Sequence, residues 1–264
     1  MYDHFAAVYD EFMNPVSYEE WAEYIEKLWE KHGKTRPGLV LDLACGTGSL
    51  TVQLAKRGYD LIAVDQSPSM LEIAREKIQK ETGRSVLCLQ QDMRELELYG
   101  TVDAVICTCD SLNYLLEEKD LARVFRLVEN YLEPEGLFIF DLNTQYKFEK
   151  ILGEQTFADT AEDAAFIWEN YYYEEEKINE YHVTFFEEEE PDIYRRYEET
   201  HYQKAYDISK IKELIEKSGL KVEAVYDCFT ESEPAAQSER ICFVAKEHLY
   251  RQLGKKRELT EEEE

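Results

Sequence analysis

The stretch Leu39-Val40-Leu41-Asp42-Leu43-Ala44-Cys45-Gly46-Thr47-Gly48-Ser49-Leu50 constrains this chain more than any other. A continuous apolar run is broken at two glycines and gives way to an amphipathic pattern through Val52, Leu54 and Ala55. That order predicts a buried parallel strand, a tight turn and a helix. Such a turn is a ready ligand site. Glycine lets backbone approach a ligand without an intervening side chain, and the helix start offers unpaired N–H groups and a positive dipole end.

Two departures from the dinucleotide fingerprint bear on which ligand it is. The third glycine of G-x-G-x-x-G would fall at Thr51, and the strand before the turn carries an acid, Asp42. A carboxylate repels a pyrophosphate and attracts an ammonium group, so a nicotinamide dehydrogenase fits poorly. Asp42 followed by Ala44, Gly46 and Gly48 resembles the first motif of the class I S-adenosylmethionine-dependent methyltransferases, with Ala44 where that family often has glycine. The resemblance implies S-adenosyl-L-methionine as cofactor, with an amino-acid tail and no phosphate.

Two further strands end on acids. Leu61-Ile62-Ala63-Val64-Asp65 places Asp65 19 positions after Gly46, close to the roughly 20 residues between a glycine-rich turn and the acid that holds a ribose. Val86 to Gln90 runs into Gln91-Asp92-Met93, where the resemblance implies an acid for the adenine amine and a backbone N–H for the ring; Asp92 also reads as a helix cap. In open α/β sheets ligands bind beyond the carboxyl ends of strands, so Asp42, Asp65 and Asp92 are expected to converge on one crevice. By the same resemblance Gln66, Met70, Met93 and Cys109 join the cofactor-binding set. Met70 reads equally well as core, in a helix that Ser67 and Pro68 begin.

The fold class expected is α/β: a seven-stranded doubly wound sheet, mostly parallel with the last strand antiparallel. Strand four is Ala104 to Cys107, helix Leu121 to Leu132 follows, and Glu133-Pro134-Glu135-Gly136 turns into strand five, Leu137 to Asp141. Asp207 is expected to cap a helix from Ile208 to Lys217, before strands over Lys221 to Tyr226 and Arg240 to Ala245. Ahead of this core (36–143 and 207–248), residues 1–35 read as an N-terminal helical lid rich in aromatic residues, broken at Asn14-Pro15, with Ser17 and Glu20 as a capping box. Those rings read first as packing; Tyr9 and Tyr18 are the candidates to close over cofactor.

Residues 144–206 alternate aromatic and charged positions and read as an antiparallel β insertion after strand five, with turns near Glu175 and over Glu187 to Asp192. In enzymes of the family this chain resembles, such an insertion builds the substrate side. A sulfonium is already activated, so the protein needs only to position, to exclude water and, for a protonated nucleophile, to supply a base. Asp110, Tyr114 and His201 are the catalytic candidates; Arg195, Arg196 and Tyr202 read as solvated or paired residues with a lesser claim on an anionic substrate. The loop after strand four lacks the N/D-P-P-Y signature of methyltransferases acting on bases or glutamine.

Composition narrows the partners. With 30 basic and 57 acidic residues the formal charge is −27, which repels a phosphate backbone and disfavours nucleic acid. Six cysteines without a C-x-x-C pair read as reduced core residues, and no metal site is expected. With no signal-peptide pattern and no run of membrane-spanning length, the expected location is the cytoplasm, without membrane. Residues 249–264 read as a charged tail. The activity expected is methyl transfer to a small-molecule substrate, in a chain that could form a homodimer. The alternatives are methylation of RNA or a ribosome-associated protein, or a non-catalytic cofactor-binding interaction module.

Overall fold

In the computed structural model, which describes residues 17–33, 36–160, 164–190 and 193–248, strands alternate with helices and helical turns along the first half of the chain and assemble into one seven-stranded sheet. Helix α1 (Tyr18–His32) precedes β1 (Leu39–Leu43), α2 (Ser49–Lys56), β2 (Asp60–Asp65), α3 (Pro68–Thr82), β3 (Leu87–Gln90) and β4 (Val102–Cys107). Then come α4 (Glu118–Tyr131), β5 (Leu132–Asn143), α5 (Ile208–Ser218), β10 (Leu220–Asp227) and β11 (Arg240–Glu247), with four further strands between β5 and α5.

The sheet order is β10-β11-β5-β4-β1-β2-β3. Strands β1 to β5 pair in parallel, while β11 runs antiparallel to both β5 and β10. This is the fold class the sequence implied. The chain winds one way from β1 to β3 and the other way from β4 outward, so the crevice opens at the carboxyl ends of β1 and β4.

Each face of the sheet carries its own core. On one face Phe125, Phe138, Phe140 and Phe243 pack with Val128, Ile211 and Ile215, the rings of Phe140 and Phe243 stacking at 5.0 Å. On the other, Trp21, Ile25, Leu28 and Trp29 of α1 pack with Leu50, Leu54, Val40 and Ile139. Each such fully buried side chain contributes roughly 1.5–3 kcal/mol. The aromatic residues of α1 other than Tyr18 therefore read as packing, and Ser17 accepts the Glu20 N–H at 3.3 Å as the capping pattern required. Tyr9 and the tail 249–264 lie outside the described residues.

The inserted segment forms a second, antiparallel sheet in the order β6-β7-β8-β9: β6 (Thr156–Thr160), β7 (Ala164–Tyr173), β8 (Ile178–Glu190) and β9 (Ile193–Lys204). Alternation along β8 sends Tyr181, Val183 and Phe185 to one face, where they meet Phe148 and Leu152. Three features differ from expectation. Strand β6 extends the meander, and a π-helical turn (Lys147–Leu152) joins the two sheets. Asp207 begins α5 without a side-chain cap bond, because Lys177 Nζ holds its carboxylate at 2.9 Å. Among the described residues no helix is long and apolar enough to cross a membrane.

Candidate active site

The turn after β1 is wound by three left-handed residues at alternate positions, Ala44 (φ 60°), Gly46 (φ 54°) and Gly48 (φ 74°). Positive φ costs an ordinary residue about 1–2 kcal/mol, which explains the two glycines. Their jobs differ. A Cβ at Gly46 would meet nothing within 4 Å and would project into an open cavity, whereas one at Gly48 would stand 3.0 Å from Ala74 Cβ. Gly48, expected among the cofactor-binding residues, does not line the cavity; it lets α2 pack on α3.

That cavity, of about 640 Å³, runs from the tips of β1 to β4 to the inner face of the second sheet. Of the expected cofactor residues it brings together Tyr18, Asp42, Ala44, Gly46, Asp65, Gln66, Met70, Asp92, Met93 and Cys109. Its far wall is made by Phe166, Trp168, Tyr181 and Phe185 of the insertion, with Asp110, Tyr114 and His201 at the seam. The three acids share one pocket.

Their environments differ. Asp42 is 2% exposed, and burial pushes its carboxyl up to about 7, against which the Thr51 hydroxyl donates to Oδ2 at 2.5 Å. Thr51, which breaks the dinucleotide pattern, thus serves Asp42. Asp65 accepts the Gly46 N–H (2.9 Å) on one oxygen and the Ser67 N–H (2.8 Å) on the other, so it clamps the glycine turn to the start of α3; burial still raises its pKa. Asp92 is both cap and wall: it accepts the Arg94 N–H at 2.9 Å and pairs with the Arg94 guanidinium, which lowers its pKa.

Of the catalytic candidates, Asp110 is committed elsewhere. Oδ1 pairs with Arg240 at 2.6 Å and Oδ2 accepts from Gln203 Nε2 at 2.6 Å, so both oxygens already hold a partner that fixes the carboxylate in place. Arg240 also pairs with the buried Asp141, and Gln203 Oε1 accepts from Tyr181 at 2.6 Å. The chain of bonds stitches the second sheet to the first. Tyr114 meets His201 edge to face at 6.0 Å, and His201 Nε2 lies 3.3 Å from Glu199 Oε2. Arg195 and Arg196 are exposed, pair with Glu189 and Glu198, and do not line the cavity.

Sequence reasoning missed Arg240, Gln203 and Lys147, all of which line the cavity. Arg240 had a signal, a charge opening a strand whose next five residues are apolar and buried. Gln203 lies two positions after His201 and shares its face.

The cradle fits S-adenosylmethionine. Gly46 leaves open the space a side chain would fill, the acids suit hydroxyl and amine donors, and of the lining cations Arg94 and Arg240 are already paired with aspartates. A methyltransferase domain family matches residues 40–136. YqeM of Bacillus subtilis (strain 168), which carries a methyltransferase name, is 37% identical over 246 residues, 93% of this chain and 96% of that protein. A solved S-adenosylmethionine-dependent methyltransferase from Clostridium acetobutylicum ATCC 824 superposes with a TM-score of 0.82 at 30% identity, over 93% of this chain and 98% of that one. A glycine/sarcosine N-methyltransferase from Halorhodospira halochloris is 37% identical over 120 residues, 45% of this chain and 43% of that protein.

Proposed function

The chain belongs to the class I S-adenosylmethionine-dependent methyltransferases, and from that premise we propose that it methylates a small molecule held between its two sheets. The observation that carries this reading is one continuous cavity with acids at one end and an aromatic wall at the other. Its volume lies within the range of ordinary ligand sites and has room for a cofactor and a compact acceptor. The net charge of −27 supports the same choice over RNA. So does a partial relative named for a small amino-acid acceptor.

When bound, the cofactor supplies a methyl group on a positively charged sulfur that needs no further activation. Asp65 would hold the ribose hydroxyls, Asp42 the ammonium end, and Asp92 with the Met93 N–H the adenine. The protein's remaining work is to orient the acceptor and to keep out water. Phe166, Trp168, Tyr181 and Phe185 do both, as an apolar wall closing the far side. Asp110 is a positioning residue that fixes Gln203 and Arg240. Tyr114 and His201 are the groups on the wall that could take a proton from a protonated nucleophile.

The test is a labelled-methyl assay on a metabolite extract, total RNA and total protein in parallel. Label in the metabolite fraction alone is expected. Label in RNA or protein alone would overturn the small-molecule reading, and tight cofactor binding without transfer to any fraction would favour a non-catalytic module.

A further inference from the structure

The acceptor half of the cavity carries one cation that no carboxylate neutralises at contact distance. Lys147 lines the cavity where the chain leaves β5 for the second sheet, and its Nζ donates to Asn143 Oδ1 at 3.0 Å, a neutral amide. Among the described residues no acid lies within ion-pair distance of it, although Asp110, Asp141 and Glu239 act on it from farther off. Arg240 differs. It sits between Asp110 and Asp141 and has no charge to spare.

The backbone presents this lysine by an uncommon device. Lys147 opens the six-residue π-helical turn, a wide form frequent at functional sites, and its N–H is held by Thr144 Oγ1 at 3.1 Å. Burial first, then the neighbouring Arg240, hold its pKa below the usual lysine range, so the site carries a standing cost of desolvation that an anion would relieve. The acids on the cavity wall divide the other way. Asp42, Asp65 and Asp92 lie at the cofactor end, and Asp110 has both oxygens engaged. A cationic acceptor would find no free carboxylate among these, whereas an anionic one finds an ammonium.

We propose that Lys147 anchors a carboxylate of the methyl acceptor, whose apolar body lies against Trp168 and Phe166. A carboxylate suits the site better than a phosphate, because one ammonium matches a single negative charge and offers too few donors for a dianion. The proposal rests on the small-molecule reading above and adds the acceptor's charge.

The test uses the full chain saturated with S-adenosylhomocysteine and three probes of one shape: phenylacetate, phenylacetamide and phenethylamine. Binding is followed by ligand-observed NMR. Phenylacetate is expected to bind roughly tenfold or more tightly than either of the others, the size of one charge-assisted hydrogen bond. The preference is expected to vanish in Lys147→Met and to persist in Lys147→Arg. S-adenosylhomocysteine affinity, expected to stay within about twofold in both variants, reports that the fold and the cofactor end are intact. Equal binding of the three probes, preference for the amine, or an unchanged preference in Lys147→Met overturns the inference. A second arm passes the metabolite extract over anion-exchange resin at about pH 11, where amino groups have lost their proton and amino acids are retained with the other carboxylates, before the labelled-methyl assay. Label confined to the unretained fraction overturns the anchor and leaves the small-molecule reading standing. Label in no fraction counts against that reading instead, and the probe measurement then decides on Lys147 alone.

Discussion

The Thr51 hydroxyl donates to Asp42 Oδ2 at 2.5 Å, from the first turn of α2 to the buried β1 strand that precedes it. A dinucleotide-binding turn would have glycine at Thr51 for close helix packing. Here the same position supports a carboxylate that is 2% exposed. The bond opposes the burial that pushes Asp42 up to about 7, and so keeps a fraction of it ionised near neutrality.

A pH dependence with a definite sign follows. The folded value lies above the unfolded 3.8, so between them the folded chain holds a proton that the unfolded chain has released. Asp42 therefore contributes stability at low pH that is lost as pH rises from about 4 to about 7, with no further change above. A ligand ammonium favours the charged form. Cofactor binding at about pH 6.5 is accordingly expected to release protons, measured by calorimetry in buffers of different ionisation enthalpy, and the release is expected to disappear in Asp42→Asn. Proton uptake in the wild type would contradict this.

The two glycines of the turn are expected to fail differently. Gly46→Ala puts a methyl group into open cavity at a φ that Ala44 nearby already adopts, so cofactor affinity should drop more than tenfold while stability changes by about 1–2 kcal/mol. Gly48→Ala drives a Cβ against Ala74 and should cost about 2–3 kcal/mol of stability, read from urea unfolding. A larger stability loss at Gly46 than at Gly48 would contradict the division of roles.

The seam between the sheets should depend on Arg240 more than on Gln203. Arg240→Met leaves Asp110 and the fully buried Asp141 without their counter-charge, an expected loss of about 3 kcal/mol. Gln203→Leu removes a neutral link between Tyr181 and Asp110, with an expected loss of about 1–2 kcal/mol. An Arg240→Met variant with an unchanged urea midpoint would show that the seam is held elsewhere.

Much of the parallel half was legible because buried parallel strands write themselves as apolar runs and their tips as isolated acids, as at Asp42 and Asp65. The insertion was legible as strands from its alternation, but only its fold brings Trp168 and Tyr181 to the same cavity as Gly46. The π-helical turn at Lys147 has no periodicity of its own to read. The commitment of Asp110 was hidden for a different reason. Its partners Gln203 and Arg240 lie 93 and 130 positions away, and no local pattern announces so distant a pair.

The central claim is that the carboxylates at the strand ends form one cradle for S-adenosylmethionine, and Asp65 is its midpoint. Calorimetric titration of S-adenosylhomocysteine into the wild type and Asp65→Ala tests it most directly. One site per chain is expected, weakened in the variant by about 10–100-fold, the loss of one or two hydrogen bonds to a charged acceptor. Equal affinity in the two proteins, or no binding by the wild type, would contradict the account.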